Sequence, residues 1–431
     1  MRFLRTTALR TAAALCALGL IAAVGGCTRA NDSSVTTLNF FQFKGEALND
    51  FNEIIAEFEA KNPDIKVVQN QVADADTTIR TLLVKDRTPD VITLNAGANF
   101  GGLAKAGVFH DFTGDPLVDQ INPAVQEILA DLGNKSGEIN SLGYINNANG
   151  IIYNAKIFAE QGLQVPTTWN ELVEVCDKLK DAGITPFYGT LADSWTTLPS
   201  FNGLGGYPAV QDDFFEQMRA QGVNVGPDSP VSFEKNFATA MSQQQKLFSY
   251  AQDGYRGRTY DDGNAAFARG EVAMLMQGIW ALSPIKEINP DIRASIFPYP
   301  SAEGGPDDRL LVSGVDVTVT IGRNTPHKEQ ALRFVHFLFE KDVIEKLAAS
   351  QNMIPSLKGA QLSSEPALQA VKPYFDQGRI TGFIDHQIPP SIPLAATVQQ
   401  SLFDGNTAAA LATLDNEWRK VAARTIPTSG E

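Results

Sequence analysis

The sequence predicts an α/β protein with a largely parallel sheet. Three observations predict it. Strand-like apolar runs alternate with helix-period segments near the start. The same rhythm recurs in the second half of the chain. An apolar fraction of 43% over 431 residues is enough to build a substantial core. That length suggests two domains or one large one.

Each element follows in order. Val35 to Phe43 alternates and then runs apolar, as a first strand does. Ala47 to Lys61 places Phe51, Ile54, Ile55 and Phe58 on one face of an amphipathic helix. Asn62-Pro63-Asp64 stops it, and Ile65 to Val68 is the next strand. Ile79 to Val84 continues a helix, and Pro89 precedes a strand from Asp90 to Leu94. Later, Thr168 and Glu171 fit a capping box that opens a helix with Trp169, Leu172, Cys176 and Leu179 inward. Pro326 starts another helix, with Ala331, Phe334, Val335 and Leu338 on one stripe. Gly304-Gly305-Pro306-Asp307-Asp308 reads as a loop, either a linker or a surface turn.

The N-terminus has a different character. Arg2, Arg5 and Arg10 form a basic start without an acid, and Ala12 to Val24 is an apolar run of 13 residues. Small residues follow, ending in Val24-Gly25-Gly26-Cys27. This order is that of a secretion signal. The run is shorter than the roughly 20 apolar residues that span a bilayer. Small residues ending on cysteine resemble the lipobox of bacterial lipoproteins. That resemblance implies cleavage after residue 26, acylation of Cys27, and a polar tether over residues 27–34. Two or more acyl chains hold a soluble domain stably at a membrane. The chain is thus expected on the outer face of the cell membrane.

Charge and cysteine content narrow the partners. The formal charge is −14, and loss of the three leader arginines takes it to −17. Such an acidic surface argues against nucleic acid and anionic lipid as partners. Of three cysteines, Cys16 leaves with the leader and Cys27 is the anchor, so only Cys176 stays in the folded part. An exported protein with one internal cysteine has no internal disulfide. Cys176 shares a helical face with Leu172 and Leu179 and reads as buried filler.

Signatures of catalysis are weak. His110, His327, His336 and His386 show no metal-ligand spacing, and no phosphate-binding glycine loop or Gly-x-Ser-x-Gly elbow occurs. Ser283-Pro284-Ile285-Lys286 matches a Ser-x-x-Lys pattern, but Lys135-Ser136-Gly137, its weak companion, precedes it where it should follow. Nothing asks for a catalytic residue, a metal or a cofactor. Other segments place aromatic and amide side chains in predicted loops. They are Phe41 to Lys44, Asn95, Tyr144 to Asn149, Asp193-Ser194-Trp195, and Met274 to Trp280 with Gln277. Aromatic faces pack on the C–H faces of sugar rings, and amides and carboxylates hydrogen-bond their hydroxyls. Each residue taken alone also fits a core or turn position.

These segments carry a resemblance. The chain is similar to the family 1 extracellular solute-binding proteins, the sugar-binding lipoproteins of bacterial ABC importers that include maltodextrin-binding proteins. The motifs are Phe58 to Val67, Thr88 to Ile92, Leu103 to Val108, Gly150 to Asn154, Val165 to Leu172, Phe267 to Met274 with Gly278 and Trp280, and Ala331 to Phe339. They stand in the family's order across nearly all of the mature chain. The resemblance implies two α/β lobes, 35–142 plus 310–352 and 143–309 plus 353–431, with a ligand cleft between them. It implies a monomer that captures a carbohydrate, expected to be a di- or oligosaccharide, and presents it to permease subunits without chemistry. The same fold carrying a glycerophosphodiester or polyamine is the alternative, and a surface glycoside hydrolase the more distant one. Carried over by position, Trp280 is the stacking tryptophan, Asn147 a polar contact, and Asp193 and Trp195 an acid-and-aromatic loop. Gln42, Lys44, Asn95, Gln277 and Asp316 complete the expected site. Asn95-Ala96-Gly97-Ala98 lacks the aromatic or charged side chain expected of maltodextrin binders.

The anchor has a direct test. Cys27→Ala is expected to move the protein from the membrane fraction to the soluble one. Mass spectrometry showing an unmodified Cys27 in the mature protein would refute acylation.

Overall fold

The computed structural model describes residues 35–72, 75–300, 305 and 309–425. The leader, Cys27, the tether and most of the Gly304–Asp308 loop lie outside these residues. The fold has two lobes, each organised around its own sheet.

The strands are β1 (Thr36–Gln42), β2 (Ile65–Gln71), β3 (Val91–Leu94), β4 (Leu142–Asn146), β5 (Asn149–Asn154), β6 (Thr185–Phe187), β7 (Val272–Gly278), β8 (Ala294–Phe297), β9 (Leu311–Val312), β10 (Val315–Ile321), β11 (Ile354–Pro355) and β12 (Ile380–Thr381). Six of them form the first sheet, in the order β11-β4-β10-β3-β1-β2. Four form the second, in the order β6-β7-β5-β8, and β12 pairs with β9 apart from both.

The expectation of a largely parallel sheet needs correction. β1 is parallel to β2, from Thr36↔Ile65 to Gln42↔Gln71, and parallel to β3 on its other edge. Helical crossovers link these three strands, and such crossovers return the chain in the same direction. β10, β4 and β11 instead pair antiparallel. β10 arrives from the other lobe and enters the sheet at the end where β3 leaves, so it runs the opposite way. In the second sheet, β7 and β8 are antiparallel to β5, and only β6 and β7 are parallel.

Helix patterning decides how the first sheet is covered. The helix Leu48–Lys61 buries Phe51, Ile54, Ile55 and Phe58, the face read from spacing. The helix Lys328–Leu338 buries Ala331, Phe334, Val335, Phe337 and Leu338. It begins two residues later than Pro326. The two helices meet over β1 through edge-to-face and tilted rings, with centroids 5.2 Å apart for Phe40–Phe51, 5.4 Å for Phe40–Phe334 and 4.9 Å for Phe58–Phe334. In the second lobe, the helix Trp169–Asp181 opens on the expected capping box. Thr168 Oγ1 accepts from the Glu171 amide at 3.3 Å, and Glu171 Oε2 accepts from the Thr168 amide at 3.2 Å. Cys176 is fully buried on that helix, and burial pushes its thiol up to about 12.

The chain passes between sheets at points that set the cleft. β4 stays in the first sheet as far as Asn146, and β5 enters the second at Asn149, so Asn147-Ala148 makes the step. Ser313-Gly314 makes the return step from β9 to β10. β11 adds Ile354–Pro355 to the first sheet before the chain leaves it.

Phe334 sits between Phe40 and Phe58 with no exposed surface. Phe334→Ala is expected to cost about 3–5 kcal/mol, through lost transfer energy and a residual cavity. Urea unfolding followed by circular dichroism measures it, and a cost below 1 kcal/mol would contradict this packing.

Candidate functional site

The strand ends and the crossing segments converge on one open cavity of about 270 Å³. The first lobe contributes Asn95 and Asp316, and the step between lobes contributes Asn147. The second lobe contributes Trp195, Leu198, Pro199, Asn202, Trp280, Phe383, Asp385 and His386.

Local structure explains each position. Asn95 follows the last residue of β3, and its Nδ2 donates to the Asp316 carbonyl at 3.2 Å. Asn147 is held by the return step. Its amide donates to the Gly314 carbonyl at 3.0 Å, and its Oδ1 accepts from the Gly314 amide at 2.8 Å. Its carbonyl accepts from Ser313 Oγ at 2.7 Å. Asp316 lies near the start of β10, with its Oδ1 3.4 Å from Asn147 Nδ2.

The tryptophans ride on short helical turns at the ends of longer elements. Trp280 belongs to the turn Ile279–Ala281 that ends β7, and its Nε1 donates to Gln277 Oε1 at 3.1 Å. The ring lies back over Gly278. A Cβ there would stand 2.1 Å from the Trp280 ring and 2.4 Å from the Ala148 carbonyl, which is why a glycine occupies this position. Trp195 belongs to the turn Ser194–Thr197 and is 40% exposed. It packs against Tyr260 with centroids 5.0 Å apart. Tyr260 is fixed in turn by Asp193, whose Oδ2 accepts from the Tyr260 amide at 2.7 Å. Burial pushes the Tyr260 phenol up to about 12, and the charges of Asp261 and Glu46 add to the effect.

Five of the nine expected residues therefore line the cavity: Asn95, Asn147, Trp195, Trp280 and Asp316. Four stand elsewhere. Lys44 is beneath it, 6% exposed, with Nζ 2.8 Å from Asp316 Oδ2 and 2.7 Å from Glu46 Oε1. Gln42 is fully buried in the sheet, and its Nε2 donates to Gln69 Oε1 at 3.0 Å. Gln277 lines a separate small cavity with Tyr260 and Asn264, and meets the site through its bond to Trp280. Asp193 acts through Tyr260 and Trp195. Lys286 of the Ser-x-x-Lys match pairs with Glu365, and Ser283 Oγ accepts from Asn352 at 2.7 Å.

Sequence reasoning missed Asn202, Phe383, Asp385 and His386. Phe383 stacks on His386 at 5.1 Å and approaches Trp280 at 6.2 Å. Asn202 is buried in the helix Leu198–Gln211, and its Oδ1 accepts from the Asp385 amide at 3.0 Å. Phe383 to His386 has the same aromatic-and-polar loop composition that marked Asp193 to Trp195, so that signal was available. Asn202 gave none, because an asparagine inside a glycine-rich helix looks like any other.

With this geometry in place, the comparisons give the class. The chain belongs to the family of bacterial extracellular solute-binding proteins, whose model matches residues 45–345. Among relatives, it is 27% identical over 340 residues to the multiple sugar-binding protein of Streptococcus mutans, covering 77% of this chain and 78% of the relative. It is 23% identical over 354 residues to the sn-glycerol-3-phosphate-binding periplasmic protein UgpB of Escherichia coli K12, covering 78% of each. Among solved structures, apo RafE from Streptococcus pneumoniae superposes with a TM-score of 0.78 at 24% identity, over 90% of this chain and 98% of that one. RafE in complex with raffinose gives 0.72 at 24% identity, over 90% and 100%.

The electrostatics under the cavity rest on Lys44. Burial works against its charge, but Asp316 and Glu46 outweigh burial and hold the ammonium above its ordinary value of 10.5. A raised value means the pair's contribution is fully present below 10.5 and is lost only as pH rises through the higher folded value. Lys44→Met leaves Asp316 without its partner and is expected to cost about 3–5 kcal/mol at pH 7. Adding Asp316→Asn is expected to return part of that loss. Chemical denaturation of both variants tests it, and a Lys44→Met variant as stable as the parent would show the pair to be dispensable.

Proposed function

We propose that this protein is the sugar-capturing subunit of an ABC importer. One observation carries the reading. Two tryptophans from one lobe face Asn95 of the other and Asn147 of the step between them across a single cavity, and that cavity has no lysine or arginine among its described lining residues. Aromatic faces and amides suit a neutral polyhydroxylated ring. The names of the Streptococcus mutans relative and of the RafE–raffinose complex support this choice.

The relationship to UgpB raises the competing reading, a phosphate-bearing solute. A phosphate wants uncommitted cations or a nest of amides. Lys44 lies against Asp316 of the lining, and two carboxylates already hold it. Asp316 and Asp385 on the lining would repel an anion. The site therefore favours carbohydrate.

The working parts follow from the chain path. The first lobe is read as 35–146 with 315–355, and the second as 149–312 with residues from 366 onward. A sugar touching both lobes stabilises the closed arrangement over the open one. The protein captures and presents its ligand, and no chemical step is assigned to it. Among the described residues no helix is long and apolar enough to cross a membrane. Anchoring is assigned to acylated Cys27, and delivery to permease subunits.

A thermal-shift screen against neutral sugars, with glycerol 3-phosphate included, tests the reading. A ligand at 100 times its Kd adds about 2.7 kcal/mol to stability. Stabilisation by glycerol 3-phosphate and by no sugar would overturn it. For the sugar found, Trp280→Ala is expected to weaken binding at least tenfold. It removes buried ring area and about 0.5–1.5 kcal/mol of ring-specific attraction, and each 1.4 kcal/mol is tenfold in affinity. A large fall in melting temperature with affinity retained would retire Trp280 as a contact.

A further inference from the structure

A small cavity stands apart from the one that Trp195 and Trp280 line, and shares no residue with it. Its lining mixes apolar Leu275 and Met276 with Thr190, Tyr260, Asn264 and Gln277. Local structure brings these groups together. Tyr260 and Asn264 are four residues apart on the helix Tyr260–Ala268, so they share a face. Gly263 lets that helix close on its neighbour, because a Cβ there would stand 2.7 Å from Thr190 Cγ2. Gln277 arrives from β7.

Asn264 is the unusual member. It is 2% exposed, and neither its Nδ2 nor its Oδ1 has a hydrogen-bond partner. The Tyr260 phenol lies near enough for the amide to work against the rise that burial gives it. A carboxamide offers two donors and an acceptor oxygen. Buried groups of this kind are nearly always satisfied, by protein or by ordered water. The free volume of the cavity is about 10 Å³. One water needs about 10–15 Å³ and two to four polar partners. Asn264, Gln277, Thr190 and Tyr260 supply them. The described lining carries no carboxylate to neutralise a cation.

The neighbours give such a site a role. Gln277 Oε1 accepts from Trp280 Nε1 at 3.1 Å, and only the oxygen end of that amide can accept. Tyr260 packs against Trp195 with centroids 5.0 Å apart. A group bridging Asn264 to Gln277 and Tyr260 therefore steadies the supports of both rings.

We propose that this cavity is a buried water site organised by Asn264, and that Asn264 is a positioning residue for Trp280 and Trp195, acting through Gln277 and Tyr260. The water site is independent of the solute, and its effect on affinity rests on the carbohydrate reading above.

The mature chain carrying Cys27→Ala serves for the tests. A crystal structure that resolves ordered solvent is expected to show a water within hydrogen-bond distance of Asn264 and of at least one of Gln277, Tyr260 and Thr190. A dry cavity would overturn the site. Two variants separate a water site from ordinary packing. Asn264→Leu fills the space with an apolar side chain, whereas Asn264→Ala leaves room for further water. If filled volume alone mattered, the alanine variant would be the more impaired. A water site predicts the reverse. In NMR spectra of nitrogen-labelled protein, Asn264→Leu is expected to shift the indole N–H signals of Trp195 and Trp280 and to leave those of Trp169 and Trp418 in place. By calorimetry it is expected to weaken raffinose or maltotriose binding threefold or more, with Asn264→Ala within about twofold of the parent. Asn264→Val replaces the leucine variant should that one not fold. Unmoved Trp195 and Trp280 signals, or a greater loss of affinity in Asn264→Ala, would overturn the positioning role. Binding of neither sugar by the parent would count against the carbohydrate reading, and the crystal and NMR outcomes would still decide the water site and the positioning of the rings.

Discussion

The arrangement of the whole molecule depends on how Asn147 ties two crossing segments together. One segment leaves the first sheet at Asn146, and the other returns to it at Val315. Asn147 uses its amide, its carbonyl and its Oδ1 on Ser313 and Gly314, so the two passages cannot slide past each other. Buried backbone groups must find partners, and here each passage supplies the other's. Gly314 is part of the same constraint. A Cβ there would stand 2.8 Å from the Phe383 ring. The tie therefore sets the relation of the lobes and also lets an aromatic wall of the cavity approach the backbone.

The cavity inherits its chemistry from this tie. Asp316 follows the return step by two residues, so its carboxylate is carried into the cleft between Asn95 and Asn147. A carboxylate there would be costly without a counter-charge, since burying an unpaired ion is far more expensive than burying a paired one. Lys44 supplies the charge from the end of the first strand's loop. The ammonium is thereby spent on structure, and what remains facing the ligand is amide, ring and screened carboxylate. That is a surface for hydroxyl groups and C–H faces, not for phosphate.

Periodic burial was legible in the sequence, and long-range pairing was not. The face of Leu48–Lys61 and the capping box at Thr168 are local, written within a few residues, and both stand as read. The direction of β10 is not local. It depends on the point where a chain returning from the other lobe re-enters the sheet, and no window of sequence around residues 315–321 contains that information. The site divides the same way. Trp195 and Trp280 stood out because aromatic residues in loops are conspicuous, and both line the cavity. Gln42 failed because a polar residue at the end of a strand can point into the sheet as easily as into a cleft, and here its amide satisfies Gln69. Asp193 and Gln277 stand beside the cavity and do not line it. Each holds an aromatic ring in position instead of lining the cavity.

That division of labour bears on how a shallow cavity can be specific. A tryptophan on a turn of three residues has little backbone around it to restrain its ring. Gln277 supplies a hydrogen bond to Trp280, Gly278 removes the side chain that would push the ring out, and the Ala148 carbonyl accepts from the Ile279 amide at 2.9 Å to hold the turn itself. Trp195 is treated in the same manner, through Tyr260 and Asp193. Ordering these rings before ligand arrives removes a conformational cost from the binding step. The tie at Asn147 extends the argument from side chains to lobes, because Ala148 neighbours it. The strap that holds the crossings together thus also holds the turn that carries Trp280, and a movement of one lobe against the other carries that ring with it.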